Sequence, residues 1–244
     1  MLTSIVLLIL SAGIPYYVIL EKIKKLKSEY IFILSWLFLL GATVATFYTT
    51  YEYSVELVIV SLVSAIFSIY KATKTTNFYK LGYYLVFVNA PFFVLFEDKE
   101  AALFSMSLLV SLVGLYLVGK YYEKNYGSAN YHHITGITLI TPCIGTYLTI
   151  YLIALALYPP LPNSVFFLSH IFKSEPNLLW YIVVMTVFFG NFFLAMRVMK
   201  KTLFGRPNPK IHYVHMTVKD KAIHMLVVSG LLVLSIYGLK ETLI

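Results

Sequence analysis

Along this 244-residue chain the charges are confined to short gaps between long apolar runs. Leu2–Leu20, Tyr30–Ala45, Val55–Tyr70, Leu81–Phe96, Ala101–Gly119, Ile134–Leu157, Leu178–Met196 and Ala222–Leu239 hold almost no ionised side chain. Apolar runs near ~20 residues match the hydrocarbon thickness of a bilayer at helical rise. Backbone polar groups in lipid must be satisfied within the segment, which favours helices, and the period-two alternation of a membrane barrel is absent. The pattern predicts an all-α, polytopic transmembrane helical bundle, with residues 1–244 forming a single integral-membrane domain.

The gaps alternate in sign. Lys22, Lys24, Lys25 and Lys27 follow the first run, Glu52 and Glu56 the second, and Lys71, Lys74 and Lys80 the third. Glu97, Asp98 and Glu100 follow the fourth, Lys120 and Lys124 the fifth, and seven basic residues from Arg197 to Lys221 precede the last. The positive-inside rule then puts the basic gaps on the cytoplasmic side and both termini outside. That parity holds if Pro159–Phe172, with three prolines at its start and roughly ten apolar residues after them, is a half-helix or re-entrant piece rather than a full crossing. The expectation is eight membrane helices plus this broken segment, or nine if the segment crosses. Leu2–Leu20 lacks preceding basic residues and a following small-residue cleavage site, so it reads as a helix of the mature protein rather than a signal peptide.

Composition refines this picture only slightly. Apolar residues make up 59% of the chain and mean hydropathy is +0.80. The net charge of +8 would suggest nucleic acid in a soluble domain. Here the basic residues sit at helix ends, where orientation and anionic lipid account for them, so lipid and not nucleic acid is the expected contact. The single cysteine, Cys143, excludes an internal disulfide and reads as an inert packing residue within an apolar run.

Ion translocation requires ionisable groups inside the membrane, and each is costly to place there. All the acids lie at the edges of runs or in gaps. Glu56 is the acid at the mouth of a run, a position that also suits a helix N-terminus. Lys71 and Lys74 close the third run and would reach the surface by snorkelling. His170 is set among aromatic residues at the end of the short segment. It reads either as a structural imidazole or as a titrating group beside the exposed backbone of a discontinuous helix. His170, Glu56, Lys74 and Lys71 are therefore the candidates for a proton path. His132, His133, His212, His215 and His224 lack the three-ligand spacing and carboxylate support of a metal centre. An intramembrane haem would need paired histidines, for which His170 and His224 are the nearest. Phosphate-cradling loops, nucleophile elbows and HExxH helices are missing, so no metal, cofactor or catalytic residue is expected.

The stretch 133–239 resembles the C-terminal part of the antiporter-like membrane subunits shared by respiratory complex I, membrane-bound hydrogenases and Mrp-type antiporters. The resemblance rests on Ile134-Thr135-Gly136-Ile137, Pro142, Ala154-Leu155-Ala156-Leu157-Tyr158-Pro159-Pro160-Leu161-Pro162, and Phe167-Leu168-Ser169-His170. It continues through Met196-Arg197-Val198, Leu203-Phe204-Gly205 and Tyr237-Gly238. Phe78 to Tyr83 and Ala101 to Phe104 are similar more faintly. Aligned with that family, Val113 stands where the lysine of the proton path belongs, and Ser105 and Leu109 stand at its histidine positions. His170 takes the place of the charge on the broken helix. The resemblance implies a truncated, degenerate subunit of a multi-subunit, NADH dehydrogenase-like respiratory or hydrogenase-like complex. Such a subunit would be mainly structural, would pack beside other membrane subunits and would carry a vestigial path for protons or cations. The alternative expectation is an anchor or assembly subunit of an unrelated membrane oxidase or transporter.

Overall fold

The computed structural model describes residues 2–48, 55–95, 99–132, 134–173 and 177–243. Among them are eleven helices: α1 (Leu2–Leu10), α2 (Tyr17–Leu20), α3 (Ser28–Tyr48), α4 (Val55–Lys74), α5 (Phe78–Leu95), α6 (Lys99–Tyr126), α7 (Ile137–Ile140), α8 (Pro142–Leu155), α9 (Pro162–Lys173), α10 (Leu178–Thr202) and α11 (Val218–Leu243). Six of them, α3, α4, α5, α6, α10 and α11, are long and apolar enough to cross a membrane. Eight or nine such helices were expected, and two local features of the chain account for the difference.

The run Leu2–Leu20 does not form one helix. Pro15 supplies no N–H and biases Ile14 away from helical geometry, and Ala12 adopts a left-handed φ of 62°. The chain therefore stops at Leu10 and restarts at Tyr17. The run Ile134–Leu157 is divided in the same way. Thr141, preceding Pro142, leaves helical geometry (φ −124°, ψ 70°) and separates α7 from the 14-residue α8. Gly136 opens α7 at φ 62°, with its α-carbon facing the Gly205 carbonyl, where a side chain would collide with backbone.

With α6 as a ruler, the other helices can be placed by depth. Lys124 and Lys120 at its C-terminal end meet Asp220 of α11 and Glu29 of α3. Further along, the Trp36 indole of α3 donates to the Leu109 carbonyl at 3.1 Å, and Thr43 reaches Ser105 at 2.6 Å. Gly114 faces the Tyr151 ring of α8, whereas Ser111 donates to Asn163 at the start of α9 and Phe104 packs on Phe167. Thus α8 lies beside the half of α6 nearest Lys120, and α9 beside the other half. Against α11 the order is the same: Tyr151 meets His224 and Phe166 meets Gly238. The 14-residue α8 and 12-residue α9 stack end on end through the Tyr158–Leu161 turn and together match the 26 residues of α11. The segment Pro159–Phe172 does hold a short helix, as expected, and that helix continues the path of its predecessor.

The centre of the bundle is α5. The apolar window of this helix is 89% buried, against 28% for α11 at the periphery. Phe87, Phe92 and Val88 of α5 are fully enclosed, and Phe92 stacks on Phe167 at 4.9 Å between centroids. Pro91 is tolerated inside α5 among these contacts.

Candidate functional site

All the described basic gaps converge on one end of the bundle, where acids and tyrosines latch the helices together. Glu21, just past α2, accepts from the phenols of Tyr83 (2.6 Å) and Tyr84 (2.5 Å) on α5 and lies 3.8 Å from the Lys71 ammonium of α4. Glu29 accepts from Tyr116 and from Lys120, both at 2.8 Å. Lys120 also reaches Glu123 at 3.2 Å, and Tyr79 donates to that carboxylate at 2.8 Å. Lys124 pairs with Asp220, which accepts from Thr217 in the first turn of α11. Each carboxylate thus has a lysine partner, and all but Asp220 also receive a phenol. A charge-assisted bond of this kind is roughly twice as strong as a neutral one.

Arg197 of α10 completes this end. Its guanidinium donates to the carbonyls of Ala72 and Thr75 at 3.1 Å and to the Tyr131 hydroxyl at 3.3 Å. It therefore caps the C-terminus of α4, where the helix dipole favours a cation. Tyr131 donates in turn to the Thr75 carbonyl at 3.0 Å. Burial pushes the Tyr131 phenol up, and the opposing pull of Arg197 is weaker, so the hydroxyl keeps its proton and remains a donor.

Among the described residues, the buried polar side chains are hydroxyls, amides and two histidines. Asn89 of α5 and Asn191 of α10, both fully buried, exchange amide hydrogen bonds of 3.1 and 2.8 Å. Each amide's second N–H returns to the carbonyl four residues earlier, at Leu85 and Val187. Ser68 donates to the Ser64 carbonyl and so accepts from the Tyr17 hydroxyl at 2.9 Å. Ser107 likewise bonds back along α6, and Ser111 shares its proton between the Ser107 carbonyl and Asn163. Such bonds satisfy the hydroxyl within its own helix.

The four proton-path candidates are not assembled into one site. Glu56 is exposed in the first turn of α4. Lys71 and Lys74 close the same helix about 22–27 Å away at helical rise. Lys74 lies over the Tyr70 ring at 5.2 Å, and Lys71 over Phe67 at 5.7 Å as well as against Glu21. His170 is 3% exposed on α9, its ring 5.5 Å from that of Phe92.

The other histidines are also dispersed. His224 is buried on α11 toward the basic end, 3.0 Å from the Tyr151 hydroxyl and stacked on Tyr147. It therefore does not face His170, which lies beside the distal half of α6. His133 falls outside the described residues. Among the described residues no three His, Cys, Asp or Glu side chains gather as a metal set. Cys143 is exposed in the first turn of α8, which corrects the expectation of a packed thiol.

Ionised groups inside the apolar runs include neither the Asn89–Asn191 pair, which is neutral, nor the acids Glu21 and Glu29, which lie in a gap. An asparagine within an apolar run is the sequence signal for the first. Glu21 and Glu29, flanking a lysine-rich gap, are the signal for the second.

By length and composition, the six long helices are those of a membrane-embedded protein. No protein-family model matches the chain, and no curated protein matches its sequence.

Proposed function

We propose that the chain is a multi-pass cell-membrane protein with eight crossings, six continuous and two broken, at α1–α2 and α8–α9. In this reading both broken pairs lead from the distal face to the basic end or back, so the alternation of charged gaps is preserved. The protein serves as a structural membrane subunit of a hetero-oligomeric respiratory, complex I-like or hydrogenase-like assembly, packing laterally against other membrane subunits.

One observation carries the reading. The polar centre between α5 and α10 is a closed pair of neutral amides, while the paired ions stand at the helix ends. Neutral, mutually satisfied amides hold helices together but bind no proton at physiological pH. The resemblance of 133–239 to antiporter-like subunits supplies the kind of assembly. Gentle solubilisation from native membranes and identification of co-purifying chains tests it. Hydrophilic redox subunits together with an antiporter-like neighbour are the expected result. A stable monomer overturns the reading, and an unrelated oxidase or transporter as partner favours the role of anchor or assembly subunit.

A second reading, a working proton or cation path, is favoured by the buried His170 imidazole on a half-helix. The variant His170→Leu, assayed for proton movement in vesicles, decides it. Loss of flux establishes the imidazole as a relay, and unchanged flux removes it from any path.

A further inference from the structure

We infer that the turn Tyr158–Leu161, where α8 passes into α9, is covered by a transmembrane helix of another subunit, which brings a neutral hydrogen-bonding side chain, an amide or a hydroxyl, to the middle of the membrane. Resting on the proposed crossing by α8–α9, this contact specifies one place and one chemistry within the proposed assembly. The depth of the turn is fixed by α11. His224 meets Tyr151 of α8, and Gly238 meets Val165 and Phe166 of α9. The turn lies between those levels, near that of Leu231, which is roughly 18–20 Å from either end of α11 at helical rise. That is the centre of the hydrocarbon region, away from the interfacial belts where exposed tyrosines belong.

Lipid cannot satisfy this turn. Pro159, Pro160 and Pro162 have no N–H. From the described residues no hydrogen bond reaches the carbonyls of Leu155, Ala156, Leu157, Pro159 or Pro160. Tyr158 is 59% exposed, with its phenol bonded to none of the described residues, and Pro159 and Pro160 are exposed beside it. The break between α1 and α2 is different, because Ser11, Ala12 and Gly13 are buried within the chain. Inside a bilayer an irregular backbone is tolerated where protein buries it or where it lines water, and a polar group left unsatisfied there is costly. The carbonyls need a donor and the phenol an acceptor. A carboxamide supplies both and a hydroxyl can supply either, whereas a charged side chain would bring its own desolvation cost. A water-filled recess would need walls, and the described residues leave the turn open.

Site-directed photocrosslinking of the full chain in native membranes tests the contact. A benzophenone-bearing phenylalanine replaces Tyr158 or, as a control at similar depth, Leu232 of α11, which is 52% exposed. Irradiation is expected to join the probe at Tyr158, several-fold more than the probe at Leu232, to a transmembrane segment of a chain that also co-purifies with the unmodified protein. Replacing the amide or hydroxyl side chain of that segment by leucine should lower the recovered complex several-fold. Capture of lipid alone or of a second copy of this chain, or equal yields at the two positions, overturns the site. So does a captured segment with no neutral hydrogen-bonding side chain at that depth. Cys143 is the single cysteine, so Tyr158→Cys in a Cys143→Ser background reports on water. It is expected to resist a hydrophilic maleimide, and rapid labelling in the intact complex would put water at the turn and also overturn the site. Lipid capture at Tyr158 in a complex that still co-purifies refutes this contact alone, whereas a stable monomer refutes the assembly reading together with it.

Discussion

Glu21 and Asn89 each bond across helices, yet they do so by opposite means. Glu21 sits at the basic end, where its side chain keeps 18% of its exposure, and it uses a full charge against Lys71 with two phenols in support. Asn89 is fully buried in the middle of the bundle and uses a neutral amide against an identical partner. The difference follows from solvation. Near the helix ends, water and headgroups reduce the cost of an ion, and a tyrosine can bridge the boundary with its ring inward and its hydroxyl outward. In the centre an ion would pay the whole desolvation penalty, whereas two amides satisfy each other.

Perturbing each region sharpens this contrast. The largest effect is expected from Asn89→Leu, which leaves the Asn191 amide buried without its cross-helix partner. Unfolding in detergent should show a loss of about 2 kcal/mol. The double variant Asn89→Leu/Asn191→Leu should recover most of that loss, and a double as costly as the sum of the singles would refute the paired-amide account. Next comes Arg197→Leu, which uncaps α4 by freeing the Ala72 and Thr75 carbonyls. It is expected to lower stability by about 1.5 kcal/mol, with the change concentrated in hydrogen exchange at the end of α4. Glu21→Gln keeps a phenol acceptor and removes the ion pair with the partly exposed Lys71. A loss of about 1 kcal/mol is expected, diminishing in high salt. Lys74→Gln removes only an exposed cation over the Tyr70 ring and should change thermal stability by less than about 0.5 kcal/mol. If Lys74→Gln proved as costly as Asn89→Leu, the division between a solvated end and a dry centre would fail.

Much of this was legible along the chain. The apolar runs predicted helices, and four of the eight runs form long helices at nearly the expected places, as do the fifth and last with extended ends. The charged gaps predicted a basic face, and Glu21, Glu29, Lys71, Lys120, Lys124, Arg197 and Asp220 do meet at one end. The prolines after Leu157 predicted a short helix, found as α9. The first and sixth runs misled because hydropathy records what a segment can dissolve in, not where its backbone turns. Pro15 with Ala12, and Pro142 with Thr141, interrupt the helix without interrupting the apolar character. Charge points to Glu56, Lys71 and Lys74 and passes over Asn89, which lies fully buried in the core.

Sequence alone determined the helical class, six of the eight apolar spans and the end of the bundle at which positive charge collects, because these follow from local side-chain chemistry summed over a turn or a run. Only tertiary structure decided which asparagines meet, which tyrosines donate to which carboxylates, and that α8 and α9 stack into one path. Those outcomes depend on contacts between residues tens to more than a hundred positions apart, such as Asn89 with Asn191 and Arg197 with Ala72. They are fixed by how helices pack against α5 and α6, a geometry that hydropathy and spacing do not encode.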